Sequence, residues 1–389
     1  MAMIQNAFGI LIVLILIEAA ILFFSGHSRT KRFFNFPPSM FWIYFLPMVF
    51  STLKVIPQQS DLYPKIGTAV LPASLILLLI SADLKAILKL GKPALGMMLV
   101  GTLGVILGAP IVLFIFKPWL PAGAWSGFAA LSASWTGGSA NMIAVREAIG
   151  TPDAVFLPMV VLDTIGAYSW MGVLILLAGF QKVYDAWNHS DCAMIEELHQ
   201  KIASAPAAEP TILRLKHIAL VLFVGILGAL LSNQLAKFLF YAMHLPRNTG
   251  LILMASTIGI ALSFTQAKKL EAFGASKIGY ILLYFVLTSI GARASLAGIL
   301  SAPILIVAGF VWILIHALFL LIASRLTKTP LCLVAAASQA NIGGPASAPV
   351  VAAIYDPALA PVGLLLGVFG NVIGTYCGLL CSILCKWVG

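Results

Sequence analysis

Twelve apolar segments of 15 to 29 residues dominate this chain and dictate the solvent it folds in. They span residues 4–25, 40–56, 67–81, 94–116, 124–148, 154–180, 216–243, 249–266, 277–292, 301–324, 330–354 and 358–386. About 20 apolar residues carry a helix across the hydrocarbon core, so most of these segments read as membrane crossings. Composition agrees. Only 9% of the residues are charged and 61% are hydrophobic, with a mean hydropathy of +1.04. A soluble domain carries about 25% charged residues, and no water-facing surface can be built from so few. The net charge of +10 belongs to the loops, where Lys and Arg fix orientation. No basic run with interleaved aromatics occurs, so no nucleic-acid partner is expected. The surrounding medium is membrane lipid.

One polar stretch, Gln181 to Lys216, divides the segments six and six. At its centre Met194, Ile195, Leu198 and Ile202 have helical spacing, which predicts an amphipathic surface segment. The sequences on either side repeat one another. Ser132-Ala133-Ser134-Trp135-Thr136-Gly137-Gly138-Ser139-Ala140-Asn141 recurs as Ser338-Gln339-Ala340-Asn341-Ile342-Gly343-Gly344-Pro345-Ala346-Ser347, at an offset of 206. Asp163-Thr164-Ile165-Gly166-Ala167-Tyr168 recurs as Asn371-Val372-Ile373-Gly374-Thr375-Tyr376, at an offset of 208. A weaker match pairs Ile80-Ser81-Ala82-Asp83 with Ile290-Gly291-Ala292-Arg293. Residues 1–180 and 216–389 therefore read as two copies of one unit, joined by a cytoplasmic connector over 181–215.

Charge counting sets their relative orientation. The chain starts without a basic residue ahead of its first apolar run, so that run reads as a retained helix with its N-terminus outside. If all twelve segments cross, the cytoplasmic side receives 10 of the 23 Lys and Arg, and no positive-inside bias exists. If 124–148 and 330–354 dip in and return, that side receives Arg29, Lys31, Arg32, Lys85, Lys89, Lys92, Lys182, Lys201, Arg214, Lys216, Lys268, Lys269, Lys277, Arg325 and Lys328. That is 15 against 8. Each half is then five crossings plus one hairpin, and an odd number of crossings inverts the second half. Only about eleven residues, from Trp125 to Trp135, precede the first Gly-Gly, which at about 1.5 Å each reaches roughly half the bilayer. The expected fold class is an all-α polytopic membrane protein of two inverted repeats. Each repeat has five transmembrane helices and one re-entrant or broken helical hairpin. Both termini fall outside.

The two Gly-Gly stretches are the candidate substrate site: Ser134, Thr136, Gly137, Gly138, Ser139 and Asn141 in the first, and Gln339, Asn341, Gly343, Gly344 and Ser347 in the second. Non-helical backbone at membrane depth survives only where it is buried or lines a wet cavity. Gly permits close approach of a ligand, Pro345 and Pro349 interrupt a continuous helix, and the helix after each tip offers free N–H groups to an anion. Tight helix packing also uses Gly and Ser, but a symmetric pair of broken segments is the stronger pointer to a transport site.

Asp163 lies about nine residues into an apolar span, where a carboxylate faces a cavity or a partner. With its repeat equivalent Asn371, and with Tyr168 and Tyr376, it forms the candidate ion-binding set, suited to Na⁺ or to a proton. Arg293, at a span end, either binds an anionic substrate or anchors at the headgroups. Glu18 reads as an interface or dimer contact, Arg146-Glu147 as a boundary feature, and His217 and His316 as satisfied helix residues. Among the five cysteines, Cys377, Cys381 and Cys385 share a helical face as core filler rather than a metal site. No His-Glu-x-x-His, Gly-x-Ser-x-Gly or Walker sequence occurs, so neither catalysis nor nucleotide-driven pumping is expected.

The segments around Gly137-Gly138-Ser139-Ala140-Asn141 and Ala340-Asn341-Ile342-Gly343-Gly344-Pro345-Ala346-Ser347-Ala348-Pro349 resemble those of the YjcL-like integral membrane family (domain of unknown function 819). More distantly, the architecture is similar to the sodium–glutamate and sodium–citrate symporters. That resemblance implies two inverted halves, re-entrant hairpins with Gly-rich tips, and a dimer working by an elevator-type movement. It implies that the tips Gly137–Asn141 and Asn341–Ser347 carry substrate, with nearby side-chain oxygens holding sodium. The expected function is secondary transport of a small polar, anionic solute across the bacterial inner membrane, coupled to Na⁺ or H⁺. The alternative is a passive channel, uniporter or membrane sensor using the same cavity. The core is expected over about 67–180 and 277–386 and the scaffold over about 4–56 and 216–266, with a homodimer interface on the scaffold. No cofactor is expected beyond a coupling ion such as Na⁺.

Overall fold

The computed structural model describes residues 2–30, 34, 39–191, 193–196, 198, 215–293 and 302–389, and all regular structure among them is helical. The first half holds α1 (Ala7–Gly26), α2 (Ser39–Thr52), α3 (Leu62–Ile80), α4 (Leu84–Lys89), α5 (Gly91–Phe116), α6 (Ala124–Gly137), α7 (Ser139–Ile149) and α8 (Asp153–Ala178). The connector begins with α9 (Gln181–Asn188). The second half holds α10 (Leu215–Met243), α11 (Arg247–Ser263), α12 (Ala275–Arg293), α13 (Ala302–Thr327), α14 (Leu331–Ile342), α15 (Gly344–Tyr355) and α16 (Ala360–Val388). Among the described residues, eight helices are long and apolar enough to cross a bilayer. Helices α2 and α11, 14 and 17 residues long, are the two expected crossings that fall short of that length.

The segments that the sequence left as hairpins or broken spans are hairpins. Helices α6 and α7 pack along each other, as do α14 and α15. Thr151, just beyond α7, donates from its hydroxyl to the carbonyl of Ser126 near the start of α6, at 3.2 Å. Cys332 at the start of α14 lies within electrostatic reach of Tyr355 at the end of α15. The reversals need glycine. Gly138 has φ +81° and ψ 170°, and Gly344 has φ +66°, backbone that side-chain-bearing residues adopt only under strain.

Hydrogen bonds between loops sort the chain into two ends. At the first, Lys117 donates to the Val388 carbonyl at 2.7 Å, Thr249 to the Ala148 carbonyl at 2.8 Å, and Arg293 pairs with Asp153 at 3.0 Å. At the second, Ser81 meets Glu271 at 2.5 Å, Lys268 meets Asp83 at 2.7 Å, and Arg325 donates to the Trp187 carbonyl at 2.7 Å. The base of the first hairpin, at Ser126 and Thr151, lies at the first end. The base of the second, at Leu331 and Tyr355, lies at the second.

Packing separates two groups of helices. Helices α5 to α8 and α13 to α16 pack chiefly with one another, around the two hairpins. Helices α3 and α12, expected with the core, make their main contacts instead with each other and with α2, α10 and α11. The pairings are reciprocal between the halves: α2 lies against α12 as α11 lies against α3. In lipid no hydrophobic force drives helices together, so close approach and dispersion must. Helix α16 supplies that approach with Gly363, Gly367, Gly370, Gly374 and Gly378 along one face. A Cβ at Gly363 would stand 2.6 Å from the Ala348 carbonyl oxygen on α15, and one at Gly378 2.5 Å from the Ala133 Cβ on α6. One helix is thereby pressed against both hairpins. Trp312 of α13 fills the space beside α6, with ring centroids 5.4 Å from Phe128 and 4.7 Å from Trp135, and its indole N–H donates to Val105 at 2.9 Å.

The connector does not simply lie at the surface. Leu198 is buried, with Met194 and Ile195 beside it, in the cluster that includes Leu331 and Leu333 of α14. Ile202 and the rest of 199–214 fall outside the described residues.

Candidate functional site

The two hairpin tips meet. A Cβ built on Gly344 would lie 3.6 Å from the Gly138 Cα, and one on Gly138 would lie 3.3 Å from Oδ1 of Asn371. Around this meeting point is a cavity of about 490 Å³. Its walls come from both packing groups. The hairpin group contributes Ser134, Gly138 and Ser139 from the first tip, Gly343, Pro345, Ala346 and Ser347 from the second, Asp163, Thr164 and Tyr168 from α8, and Asn371 from α16. The outer group contributes Met40 and Phe41 from α2 and Tyr280, Leu283, Tyr284 and Leu287 from α12. The lining extends to Phe34 and Ser39, toward the second end.

Among the described residues, Asp163 is the acidic residue of this lining, and no Lys or Arg joins it. Its Oδ2 accepts from the Ser134 hydroxyl at 2.9 Å, and Ser139 and Trp135 also stand against it. Among the described residues, the Asn371 amide makes no side-chain hydrogen bond to protein. It keeps its oxygen and its two N–H groups for the cavity. Helix α7 starts at Ser139 and α15 at Gly344, and neither start has a side-chain cap. The uncapped N–H groups of two helices, with the positive ends of their dipoles, therefore converge on one cavity. Oxygen ligands for a hard cation and helix N-termini for an anionic group stand side by side.

Other residues of the expected site hold the tips in place instead of lining the cavity. Asn141 donates to the Gly137 carbonyl at 2.7 Å and the Asn371 carbonyl at 3.2 Å, and accepts from the Thr375 hydroxyl at 2.5 Å. Gln339 donates to the Ser347 hydroxyl at 2.8 Å, and Asn341 pairs with Thr102 at 2.9 Å. The Thr136 hydroxyl turns back to the Ser132 carbonyl at 2.8 Å, and Gly137 lies against the Gly370 backbone. Gly344 touches the opposite tip without entering the lining. Tyr376 points away, to Thr257 at 2.9 Å. Arg293 lies at the first end, bonded to Asp153 and remote from the tips. The cavity also holds hydroxyls that sequence reasoning missed, those of Tyr280 and Tyr284. They sit in an apolar helix with no matching motif in the other half, so no repeat signal marks them.

The remaining candidates are structural. His316 bonds through Nδ1 to the Gly101 carbonyl at 2.9 Å and through Nε2 to the Ser338 hydroxyl at 3.0 Å, which also accepts from the Trp170 indole at 2.8 Å. A carbonyl only accepts, so Nδ1 carries the proton and Nε2 receives one from Ser338. Every member of that chain is satisfied. Glu18 is buried in α1, near Tyr284 of α12. Cys381 and Cys385 touch at 3.7 Å in the core.

Fold and site together define a polytopic helical membrane protein with a cavity at its two hairpin tips. Its sequence belongs to the family described as "Protein of unknown function (DUF819)", which matches residues 13–387. It is also similar to the uncharacterized membrane protein YjcL of Bacillus subtilis (strain 168), with 26% identity over 337 residues and 83% of each chain covered.

Proposed function

We propose that this protein is a secondary transporter that carries a small polar, anionic solute by an elevator-type movement, coupled to Na⁺ or H⁺. The observation that carries the reading is the convergence of two uncapped helix starts, Asp163 and Asn371 on one cavity of about 490 Å³, a volume suited to a metabolite. Among the described residues of the lining, the helix starts are the groups that favour an anion. A carboxylate beside an anion is unfavourable unless a cation or proton neutralises it, and Asp163 thereby ties the ion to the solute. The cavity lies between two packing groups whose halves correspond, as a moving core against a scaffold requires. The excess of Lys and Arg in the loops of the second end supports reading that end as cytoplasmic, in a bacterial inner membrane with both termini outside. We assign the protein no catalytic step, and we place a homodimer contact on the outer group.

The test is uptake into proteoliposomes, after a thermal-shift screen of carboxylate and phosphate metabolites with and without Na⁺. A transporter gives saturable flux that follows an ion gradient, whereas a channel gives neither saturation nor coupling. Asp163→Ala is expected to abolish the ion dependence of both stabilisation and uptake. Ion dependence that survives the substitution overturns the coupling role.

A further inference from the structure

The first end of the molecule carries a cluster of charge that the proposed site does not use. Arg146, at the end of α7, is buried with only 3% of its side chain exposed, and it pairs with Glu147 and Asp153. Its guanidinium lies over the Phe156 ring, 5.0 Å from the centroid. These four residues all belong to the hairpin group. Arg293 does not: it ends α12, in the outer group, and its Nε reaches the same Asp153 at 3.0 Å. Tyr44 of α2, also in the outer group, packs its ring 6.4 Å from Phe156, and Phe156 lines the cavity. Asp153 is already satisfied by Arg146, so the bond to Arg293 adds nothing that the hairpin group needs for itself. Its distinguishing property is that it joins the two groups one helical turn from Phe156 of the cavity lining.

The internal repeat supplies the control. The residue equivalent to Arg293 is Asp83, at the second end. Asp83 pairs with Lys268 at 2.7 Å, and Lys268 lies in the Gln266–Phe273 turn that follows α11, within the outer group. Asp83 caps α4, which packs on α16 of the hairpin group, so this pair too reaches across, but no residue of 79–84 or 266–273 lines the cavity. The pair at the first end lies one helical turn from Phe156 of the lining, and the pair at the second end has no such neighbour.

We infer that Arg293 and Asp153 form an ion-pair latch that holds the two groups together on the first end of the cavity. This rests on the alternating-access reading of the cavity but not on any particular solute. Removing the latch should move the resting equilibrium toward a conformation open to the first end. A partly exposed pair biases such an equilibrium by about fivefold. Arg293 is the residue to change, because Asp153 also neutralises the buried Arg146.

The experiment places a cysteine in the cavity, Thr164→Cys, and measures its labelling by a membrane-impermeant maleimide, as the increment over the parent chain. Labelling is compared in intact cells and inverted vesicles. With Arg293 in place, the cysteine should react from one side only. Arg293→Gln should give about a fivefold gain in labelling from the side that the parent excludes, while Arg293→Lys, which keeps the charge, should stay near the parent. Gel filtration confirms that each variant is folded. A folded Arg293→Gln variant with unchanged sidedness overturns the latch. So does an Arg293→Lys variant that opens as much as Arg293→Gln. If the parent itself reacts equally from both sides, the alternating-access reading fails instead, and the two failures are told apart.

Discussion

At the scale of single residues, the two tip glycines are not equivalent, although the repeat aligns their neighbourhoods. Gly138 combines φ +81° with ψ 170°, and a Cβ there would also meet Asn371 at 3.3 Å. Gly344 has φ +66°, and its nearest neighbour to a Cβ is 3.6 Å away. Backbone of the Gly138 kind is almost closed to other residues, at a cost on the order of 1–3 kcal/mol. Gly138→Ala should therefore lower the detergent-solubilised melting temperature more than Gly344→Ala, and thermal unfolding of the two variants checks the order. The motif that flagged these glycines also flagged the cavity lining at Ser134, Ser139, Gly343 and Ser347. It could not say which neighbours turn inward to the protein. Asn141, Gln339 and Asn341 were equally polar in sequence, yet all three spend their hydrogen bonds within their own hairpin or on a neighbouring helix. Which face of a short helix looks into a cavity depends on what packs behind it, and that is set by helices more than 100 residues away, such as α5 against Asn341. Asp163 and Asn371 were legible for a different reason: a repeated position with a polar group deep in an apolar run has few alternatives.

At the scale of elements, the hairpins were readable from length and charge bias, but their anchoring was not. Helix α9 ties the base of the second hairpin. Asp185 accepts the backbone N–H of Leu331, the first residue of α14, at 2.9 Å, and Asn188 donates to the Thr329 carbonyl at 3.1 Å. Asp185 thus caps a helix start from outside the helix, since the residue at the capping position is Pro330, which has no side-chain donor or acceptor. Losing such a cap costs about 1 kcal/mol. Asp185→Ala is expected to destabilise the second hairpin by that amount, seen as faster amide hydrogen exchange over residues 331–342 with little change over 124–137. No sequence pattern announces a cap supplied from 146 residues away. The connector read as a surface segment because its amphipathic spacing fits docking on lipid and docking on protein equally well.

At the scale of the whole molecule, the repeat predicted correspondence between the halves, and the contacts divide the helices by packing rather than by position in the chain. Helices α3 and α12 changed group because their apolar faces alone do not say which neighbours they meet. The second end carries a shifted carboxyl outside the spans. Burial raises the Asp83 carboxyl, but the bonds from Lys268 and the Ala86 N–H outweigh it and hold Asp83 below its ordinary range. A depressed carboxylate contributes stability above its unfolded value and loses it as pH falls through the folded one. That contribution is therefore fully present at neutral pH and fades only in acid.

The cavity at the tips has a consequence for water. A space of about 490 Å³ holds on the order of 16 waters at about 30 Å³ each. Any state that closes around a smaller solute must release most of them to the surrounding solution. The balance between open and closed forms is then an osmotic equilibrium as well as a chemical one. A large excluded osmolyte should favour closure and tighten apparent solute binding, which titrations at increasing osmotic pressure would measure as a slope in proportion to the waters expelled. A transporter of the proposed kind would, in effect, count the water it displaces.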